Sequence, residues 1–368
     1  MTALAPAEPE VYLGPEVLFA RTGQVGHITL NRPRAINALT HGMVTAIQSM
    51  LDDWADDPQI RTVLLTGSGD RGLCAGGDIL SLYRDATTGD GSAAAAFFQD
   101  EYRLNANISR YAKPFVAIMD GLVLGGGIGL SAHGSHRVVT ERSSLGMPET
   151  GIGFVPDVGG TWLLSHAPGE LGTFLALTAG FVRAADAITL GLADSFITSD
   201  RIEQLVALLA TTDAAPAIAA LAQAAPASRL TAQRPWIDHA FEADSVAAII
   251  DRLNTLATDE ARAAAEAMGA KSPTALAVTL AALRSAAHLP SLEAALEQEF
   301  RVSVRAHRSH DFSEGVRAQV VDKDRQPRWS PPTLDGVMPA TIAGYFAPLQ
   351  QGEPRLTFSA HIPGPSAF

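Results

Sequence analysis

The chain has 368 residues, of which 47% are hydrophobic and 18% charged, and its formal net charge is −12. This apolar content supports a large core, because folded chains of this size bury roughly 75% of their extended surface. The acidic balance argues against a nucleic-acid or anionic-membrane partner, since phosphates require clusters of lysine and arginine. A single cysteine, Cys74, excludes an intrachain disulfide framework.

The first fifteen residues contain three prolines and two glutamates. They lack the basic and apolar pattern of a secretion signal and the arginine-rich pattern of a transit peptide. We therefore expect a flexible lead over 1–15. Because no charge-free apolar run reaches about 18 residues, the sequence predicts no membrane span and a soluble, cytoplasmic protein.

From Val17 onwards the predicted elements alternate between strand and helix. Strand-like patterns begin at Val17 and Val25, and helical spacing follows from Thr40 to Trp54. A short buried strand is predicted over 62–67. Asp78 then precedes an apolar pair and is a candidate N-cap for the next helix.

The same order of elements recurs further along the chain. A strand is predicted over 114–119, a glycine-rich loop over 124–127, a helix from Ile128 and another strand over 137–140. Strands and helices that alternate in this way predict α/β architecture, with ligand sites at the junctions between strand and helix.

The composition changes near residue 200. Residues 201–289 are rich in alanine and leucine and are predicted to be helical, and a last helix is predicted over 291–312. These changes divide the chain into a core over 16–200, a helical C-terminal region over 201–345 and a tail over 346–368.

Two glycine clusters carry the first candidate chemistry: Ala75–Asp78, with the sequence Ala-Gly-Gly-Asp, and the run Gly125–Gly127. Backbone N–H groups stabilise the oxyanion that forms from a thioester carbonyl, and loss of one such donor costs about 10²–10³ in rate. Glycine permits the close approach, and a helix N-terminus adds favourable partial charge. Either cluster alone is better explained as a tight turn. Two clusters, each between a buried strand and a helix, favour an oxyanion site.

Together with 30–39 and Met147–Glu149, these clusters resemble the crotonase (enoyl-CoA hydratase/isomerase) superfamily in order and spacing over about 16–200. The resemblance implies a crotonase-like (ClpP/crotonase) spiral of ββα units, with an oxyanion hole formed by the N–H groups of Gly77 and Gly126. It assigns the substrate and coenzyme A groove to Arg34, Ala35, Asn37 and Ala75. Coenzyme A belongs to the substrate, so no separate cofactor and no metal are expected.

A finer match reaches to about residue 329. The runs 148–150, 154–160 and 311–317 resemble the 3-hydroxyisobutyryl-CoA hydrolase branch of the superfamily. In that branch, the positions that contact substrate correspond to Glu101, Gly126, Glu149 and Asp157. Without this resemblance, Glu101 would be interpreted as a solvated helix residue and Asp157 equally well as a helix cap.

Gly129 separates the possible reactions. The resemblance implies that hydratases carry a glutamate at this position, because addition of water across a double bond needs one group for each proton. Here that carboxylate is missing, Glu149 matches the second hydratase glutamate, and Asp157 is gained. Glu149 is then either the general base for water or a nucleophile that forms a mixed anhydride. Asp157 and Glu101 are candidates to orient the water or hold a substrate hydroxyl.

The leading prediction is hydrolysis of 3-hydroxyisobutyryl-CoA to 3-hydroxyisobutyrate and coenzyme A, as in valine breakdown. An enoyl-CoA hydratase or isomerase is the enzymatic alternative, since an isomerase can shuttle a proton with Glu149 alone. A non-catalytic acyl-CoA-binding protein is the alternative of another class. A homo-oligomer is expected. Lys271, Lys323 and Arg325 are equally interpretable as partners of coenzyme A phosphates or as solvated charges.

Overall fold

The computed structural model describes residues 10–13 and 16–358, and it confirms the predicted α/β architecture with a mostly helical C-terminal region. Two sheets form the first half of the chain, and helices cover them. The larger sheet has seven strands in the order β1-β2-β3-β4-β6-β8-β11. Its strands are β1 Glu10–Leu13, β2 Val17–Thr22, β3 Val25–Leu30, β4 Thr62–Gly67, β6 Phe115–Met119, β8 His136–Val139 and β11 Ser195–Phe196.

The smaller sheet has four strands in the order β10-β9-β7-β5. These strands are β5 Gly72–Cys74, β7 Leu122–Leu124, β9 Ser144–Gly146 and β10 Phe181–Val182. β5, β7 and β9 run parallel, and β10 is antiparallel to β9. Because parallel neighbours end at the same edge of a sheet, the segments that follow these three strands lie side by side.

Sixteen α-helices are present in the described part of the chain. The first seven, which alternate with the strands, are α1 His41–Ala55, α2 Ile79–Thr88, α3 Ser92–Ser109, α4 Gly126–Ser131, α5 Gly160–Ser165, α6 Leu171–Thr178 and α7 Ala184–Thr189. The rest follow β11: α8 Ile202–Leu209, α9 Ala214–Ala219, α10 Arg229–Phe241, α11 Val246–Thr255, α12 Asp259–Gly269, α13 Pro273–Ala286, α14 Leu292–His307, α15 His310–Val316 and α16 Pro339–Phe346. None of the described helices is long and apolar enough to cross a membrane.

Local sequence accounts for several helix ends. Thr40 caps α1 by accepting a hydrogen bond from the Met43 N–H, and Asp78 caps α2 as predicted by accepting one from the Ser81 N–H. The predicted helix over 291–312 is two helices, α14 and α15. Ser309 accepts a hydrogen bond from the Phe312 N–H, and this cap begins the second helix.

The helical C-terminal region shares the core of the sheets. The ring of Phe98 on α3 lies 5.8 Å from the ring of Phe154, which in turn lies 5.5 Å from that of Phe312 on α15. Phe300 of α14 packs on Tyr102 of α3 with ring centroids 6.3 Å apart. Residues from both halves therefore form one continuous cluster of buried side chains.

The structure describes part of the predicted N-terminal lead and part of the predicted C-terminal tail. Residues 10–13 of the expected flexible lead form β1, which pairs with β2, and the remainder of 1–15 lies outside the described residues. In the predicted tail over 346–368, residues 347–358 have no regular secondary structure, and 359–368 lie outside the described part. The domain boundaries at 200 and 345 stay predictions.

Candidate active site

A cavity of about 430 Å³ opens where the parallel strands of the smaller sheet end. Aromatic and aliphatic side chains form most of its wall, and three carboxyl groups and one ammonium group lie among them. The polar side chains at the wall are Glu101, Glu149, Asp157, Lys271 and Gln319. The apolar ones include Leu82, Phe97, Phe98, Phe154, Phe181, Phe312 and Val320.

Sheet topology brings the predicted motifs together at this cavity. β5 is followed by Gly76 and Gly77, β7 by Gly125 and Gly126, and β9 by the turn that carries Glu149. A Cβ placed on Gly126 would lie 3.4 Å from the Gly77 nitrogen, so the two glycine loops are in contact. As the first residue of α4, Gly126 has an N–H group without a partner inside its helix.

Glycine is required in both loops. Gly76 has φ of +99°, a conformation that residues with side chains rarely adopt. Gly125 has φ of +44°, and a Cβ there would lie 2.8 Å from Oε1 of Glu149. The backbone at Gly125 therefore favours glycine, and a side chain there would displace the Glu149 carboxylate.

Glu149 begins a short 3₁₀ turn, Glu149–Ile152, and its side chain is only 7% exposed. Its Oε2 is buried and has no hydrogen-bond partner among the described residues. Burial raises the pKa of Glu149 well above the usual value, and the negative charge of Asp157 raises it further. The group therefore holds its proton more strongly than an ordinary glutamate.

Glu101 lies on α3 with its carboxyl group directly over the second glycine loop. A Cβ on Gly126 would meet Oε1 of Glu101 at 2.6 Å, and this oxygen lacks a partner among the described residues. The side chain is 2% exposed, so the solvated position that its local sequence favours is excluded. Burial, with the charge of Asp157, raises the pKa of Glu101 well above its usual value.

The carboxyl group of Asp157 is held by a side chain of α3. Its Oδ2 accepts a hydrogen bond of 2.7 Å from the Tyr102 hydroxyl, which is also 2.8 Å from Oγ of Ser303. Burial raises the pKa of Asp157 to about 7, although the Tyr102 bond acts in the opposite direction by stabilising the ionised form.

Glu299 on α14 is a buried carboxyl group that the sequence motifs did not identify. It accepts hydrogen bonds from the Gly159 N–H at 2.6 Å, and from the N–H and the hydroxyl of Thr161. Burial raises its pKa to about 8. The sequence did contain one indication of this burial. Glu299 lies among the apolar residues of α14 that face the core, such as Leu296 and Phe300.

Val158 occupies the space into which a side chain at position 129 would extend. A Cβ on Gly129 would be 2.7 Å from the Cβ of Val158 and 2.8 Å from Nδ2 of Asn105. Val158 has φ of +54°, which is strained for a β-branched residue. Its carbonyl oxygen is 2.8 Å from Nε2 of His133, so the turn is held in this conformation.

The four residues predicted to form the substrate and coenzyme A groove do not all lie at the cavity. Ala75 is at the cavity wall, whereas Arg34, Ala35 and Asn37 are not. The Asn37 side chain is fully buried, donates to the carbonyl groups of Ser68 and Gly72, and accepts from the Arg32 N–H. Asn37 therefore holds the adjoining loops together through its amide. The coenzyme A contacts assigned to these three residues stay predictions.

Lys271, which follows α12, is half-buried at the cavity wall. A Cβ on Gly151 would lie 3.8 Å from its Nζ. Burial lowers the pKa of Lys271, and no carboxylate raises it. Among the described residues, this ammonium group thus faces the cavity without an ion-pair partner.

The described part of the chain contains no group of three or more His, Cys, Asp or Glu arranged to hold a metal.

This cavity, with glycine loops and carboxylates on a spiral of parallel strands, agrees with the match of residues 25–346 to the family model for enoyl-CoA hydratase/isomerase. The chain belongs to the enoyl-CoA hydratase/isomerase family. Within it, the chain is similar to proteins named mitochondrial 3-hydroxyisobutyryl-CoA hydrolase. The protein from Danio rerio is 39% identical over 355 residues, 93% of this chain and 92% of that protein. The human protein is 36% identical, with 91% and 89% covered.

The resemblance to the 3-hydroxyisobutyryl-CoA hydrolase branch is thereby confirmed. Because these relatives are named as mitochondrial, the predicted cytoplasmic location stays a prediction. The oligomeric state and the absence of a separate cofactor likewise stay predictions.

Solved structures confirm the crotonase-like fold. A structure described as a carnitinyl-CoA dehydratase from Mycobacterium thermoresistibile has a TM-score of 0.91 and 50% identity, and the match covers 94% of this chain and 100% of that one. A structure described as an enoyl-CoA hydratase from Rhodobacter sphaeroides has a TM-score of 0.88 and 41% identity, with 93% and 100% covered.

We predict that substitution of Gly129 is destabilising and does not create a hydratase. Gly129→Ala should lower the free energy of unfolding by about 1–3 kcal/mol, because its methyl group overlaps Val158. Gly129→Glu should lower it further without efficient hydration of crotonyl-CoA. Urea unfolding and enoyl absorbance measure the two effects. Gly269→Ala is the control: a Cβ there has no neighbour within 4 Å, so it should stabilise by about 0.4–1 kcal/mol.

The raised pKa of Glu149 predicts a shifted pH dependence. If the ionised form is required for turnover, kcat/KM should fall on the acid side with an apparent pKa well above 4.5. Asp157→Asn removes the negative charge that raises the Glu149 pKa, so the acid limb should move to lower pH. A pH profile of both proteins measures this shift. An identical acid limb in the two proteins would show that Asp157 does not act on Glu149.

Proposed function

We propose that this protein hydrolyses a short 3-hydroxyacyl-CoA thioester, with 3-hydroxyisobutyryl-CoA as its substrate. The observation that carries the proposal is the arrangement of carboxyl groups around one cavity. Position 129 has neither a side chain nor room for one, while Glu101, Glu149 and Asp157 all lie at the wall. The relatives named 3-hydroxyisobutyryl-CoA hydrolase support the same reaction.

The thioester carbonyl would bind between the two glycine loops. The N–H groups of Gly77 and Gly126 would donate to its oxygen and stabilise the oxyanion as water attacks. The contact between the loops supports this placement, because a small oxygen-binding spot needs both donors on one wall. The helix that begins at Gly126 adds favourable partial charge to the same spot.

Glu149 would activate the water. Its partnerless Oε2 would accept a proton as the water oxygen bonds to the thioester carbon. When the tetrahedral intermediate collapses, the C–S bond breaks and the thiolate of coenzyme A takes that proton. The alternative is attack by the Glu149 carboxylate itself, which gives a mixed anhydride that water then hydrolyses.

The β-hydroxyl of the acyl group would bind to Glu101 or Asp157. Oε1 of Glu101 has no hydrogen-bond partner among the described residues, and Asp157 lies at the same largely apolar wall. Such groups recognise a hydroxyl strongly, because a substrate without it leaves them desolvated and unpaired. The phenylalanine rings around them leave space for a short acyl chain.

Dehydration or hydration is the second candidate, and the solved structure described as a carnitinyl-CoA dehydratase, at 50% identity, is the observation that favours it. Removal of water needs one group for the Cα proton and another for the departing hydroxyl. Glu149 with Glu101 or Asp157 supplies two carboxyl groups. The blocked side-chain space at Gly129 argues that any such pair differs from that of the hydratases.

A panel of thioesters separates the candidates. We expect 3-hydroxyisobutyryl-CoA to release free thiol, isobutyryl-CoA to be cleaved about 10⁴-fold less efficiently, and crotonyl-CoA to be hydrated poorly. Glu149→Gln should abolish thiol release while coenzyme A still binds. Equal cleavage of isobutyryl-CoA would refute the hydroxyl contacts. Efficient hydration of crotonyl-CoA without thiol release would replace the hydrolase by a hydratase.

We also infer that Lys271 binds a phosphate of coenzyme A, because its half-buried ammonium has no carboxylate partner at the cavity wall. Lys271→Met should raise KM for the coenzyme A thioester about tenfold, as expected for loss of a hydrogen bond to a charged group. KM for the matching N-acetylcysteamine thioester, which has no phosphate, should not change. Arg229→Met, at an exposed position of α10 that is not at the cavity wall, is the control. Equal effects on both thioesters would assign Lys271 to the acyl or thioester end.

A further inference from the structure

Two buried polar side chains of α14 bind residues that surround Asp157. Glu299 and Ser303 are four residues apart, so they lie on the same face of the helix. They are 1% and 0% exposed, and both belong to the C-terminal region rather than to the strands that build the cavity. Neither side chain is at the cavity wall.

The two side chains reach Asp157 through different residues. Glu299 binds the backbone N–H groups of Gly159 and Thr161 and the Thr161 hydroxyl, which fixes the turn after Asp157. Ser303 binds the hydroxyl of Tyr102, whose other partner is the Asp157 carboxylate. A tyrosine hydroxyl has one proton, so when it donates to Asp157 the Ser303 hydroxyl donates to Tyr102.

We propose that Tyr102, Ser303 and Glu299 are positioning residues for Asp157. Tyr102, oriented by Ser303, would fix the carboxylate, and Glu299 would fix the backbone that carries it. This proposal rests on the proposed function, since Asp157 is there a candidate to bind the substrate hydroxyl. The helical C-terminal region would thus contribute to substrate selection through buried hydrogen bonds.

The electrostatic surroundings favour Tyr102 as the residue that determines where negative charge resides. The ionisable groups around Asp157 are Glu101 of α3, Glu149 of the 3₁₀ turn and Glu299 of α14. His133 also contacts the turn through Val158, but burial lowers its pKa to about 4, so it is neutral. Lys271 lies at the same cavity wall but does not shift the pKa of Asp157, so the donor that stabilises the ionised Asp157 is the neutral Tyr102 hydroxyl. Burial, with the charge of Asp157, raises the pKa of Tyr102, which keeps this donor protonated.

The first experiment tests Tyr102 without relying on the reaction. Tyr102→Phe removes the donor, so the Asp157 carboxyl should titrate at a higher pH in ¹³C NMR of the substrate-free protein. Ser303→Ala should shift it in the same direction by less, and it serves if Tyr102→Phe does not fold. Tyr111→Phe is the matched control, because the Tyr111 hydroxyl donates to the Leu51 carbonyl away from the cavity. An unchanged Asp157 titration in both variants would overturn the proposal for Tyr102 and Ser303.

The second experiment measures selectivity for the hydroxyl group. Tyr102→Phe and Glu299→Gln should each lower kcat/KM for 3-hydroxyisobutyryl-CoA about tenfold or more, with little effect on isobutyryl-CoA. In Glu299→Gln an amide NH2 replaces one of the two carboxylate oxygens. A donor then faces a donor, and one hydrogen bond to the 159–161 turn is lost. Glu297→Gln, at an exposed position of the same helix, is the control.

The outcomes separate this proposal from the proposed function. A lower melting temperature with unchanged selectivity would show that Glu299 and Tyr102 have only a structural role. If the wild-type protein cleaves neither thioester, the proposed function is wrong, while the titration of Asp157 still decides whether Tyr102 acts on it.

Discussion

The parallel pairing of β5, β7 and β9 is the constraint on which the site depends. Each of these strands has only three residues, and each ends at the same edge of the smaller sheet. The two glycine loops and Glu149 follow them directly, so segments about 50 and 25 residues apart along the chain meet at one wall. Close approach then favours glycine, since a side chain at Gly125 or Gly126 would displace the carboxyl group beside it.

Burial of several carboxyl groups gives this wall its chemical character. Glu101, Glu149 and Asp157 at the wall, and Glu299 behind it, all have raised pKa values, mainly because burial disfavours their charged forms. Asp157 is stabilised by the Tyr102 hydroxyl, whereas Glu101 and Glu149 each keep an oxygen without a partner among the described residues. The differences in hydrogen bonding thus make similar groups suited to different tasks.

The helical C-terminal region completes the cavity as well as the core. Phe312 and Val320 close the apolar wall, Lys271 places a positive charge beside it, and α14 supports the segment that carries Asp157. The strain at Val158 is maintained by this support and by His133, and the same residue fills the space above Gly129. Gly129 and Asp157 therefore belong to one packing arrangement, because Val158, the residue after Asp157, occupies the space at Gly129.

The sequence by itself determined the α/β order of elements, the two glycine loops and the position of Glu149, because these depend on local patterns and on segments that directly follow strands. Only the tertiary structure decided that Glu101 is buried although its local sequence favours a solvated position, and that Asn37 binds neighbouring loops through its amide. It also revealed Tyr102, Ser303 and Glu299, whose hydrogen bonds join residues 140 and 201 positions apart. Local patterns carry no information on such pairs, since packing of α14 against α3 and the 157–161 turn brings them together.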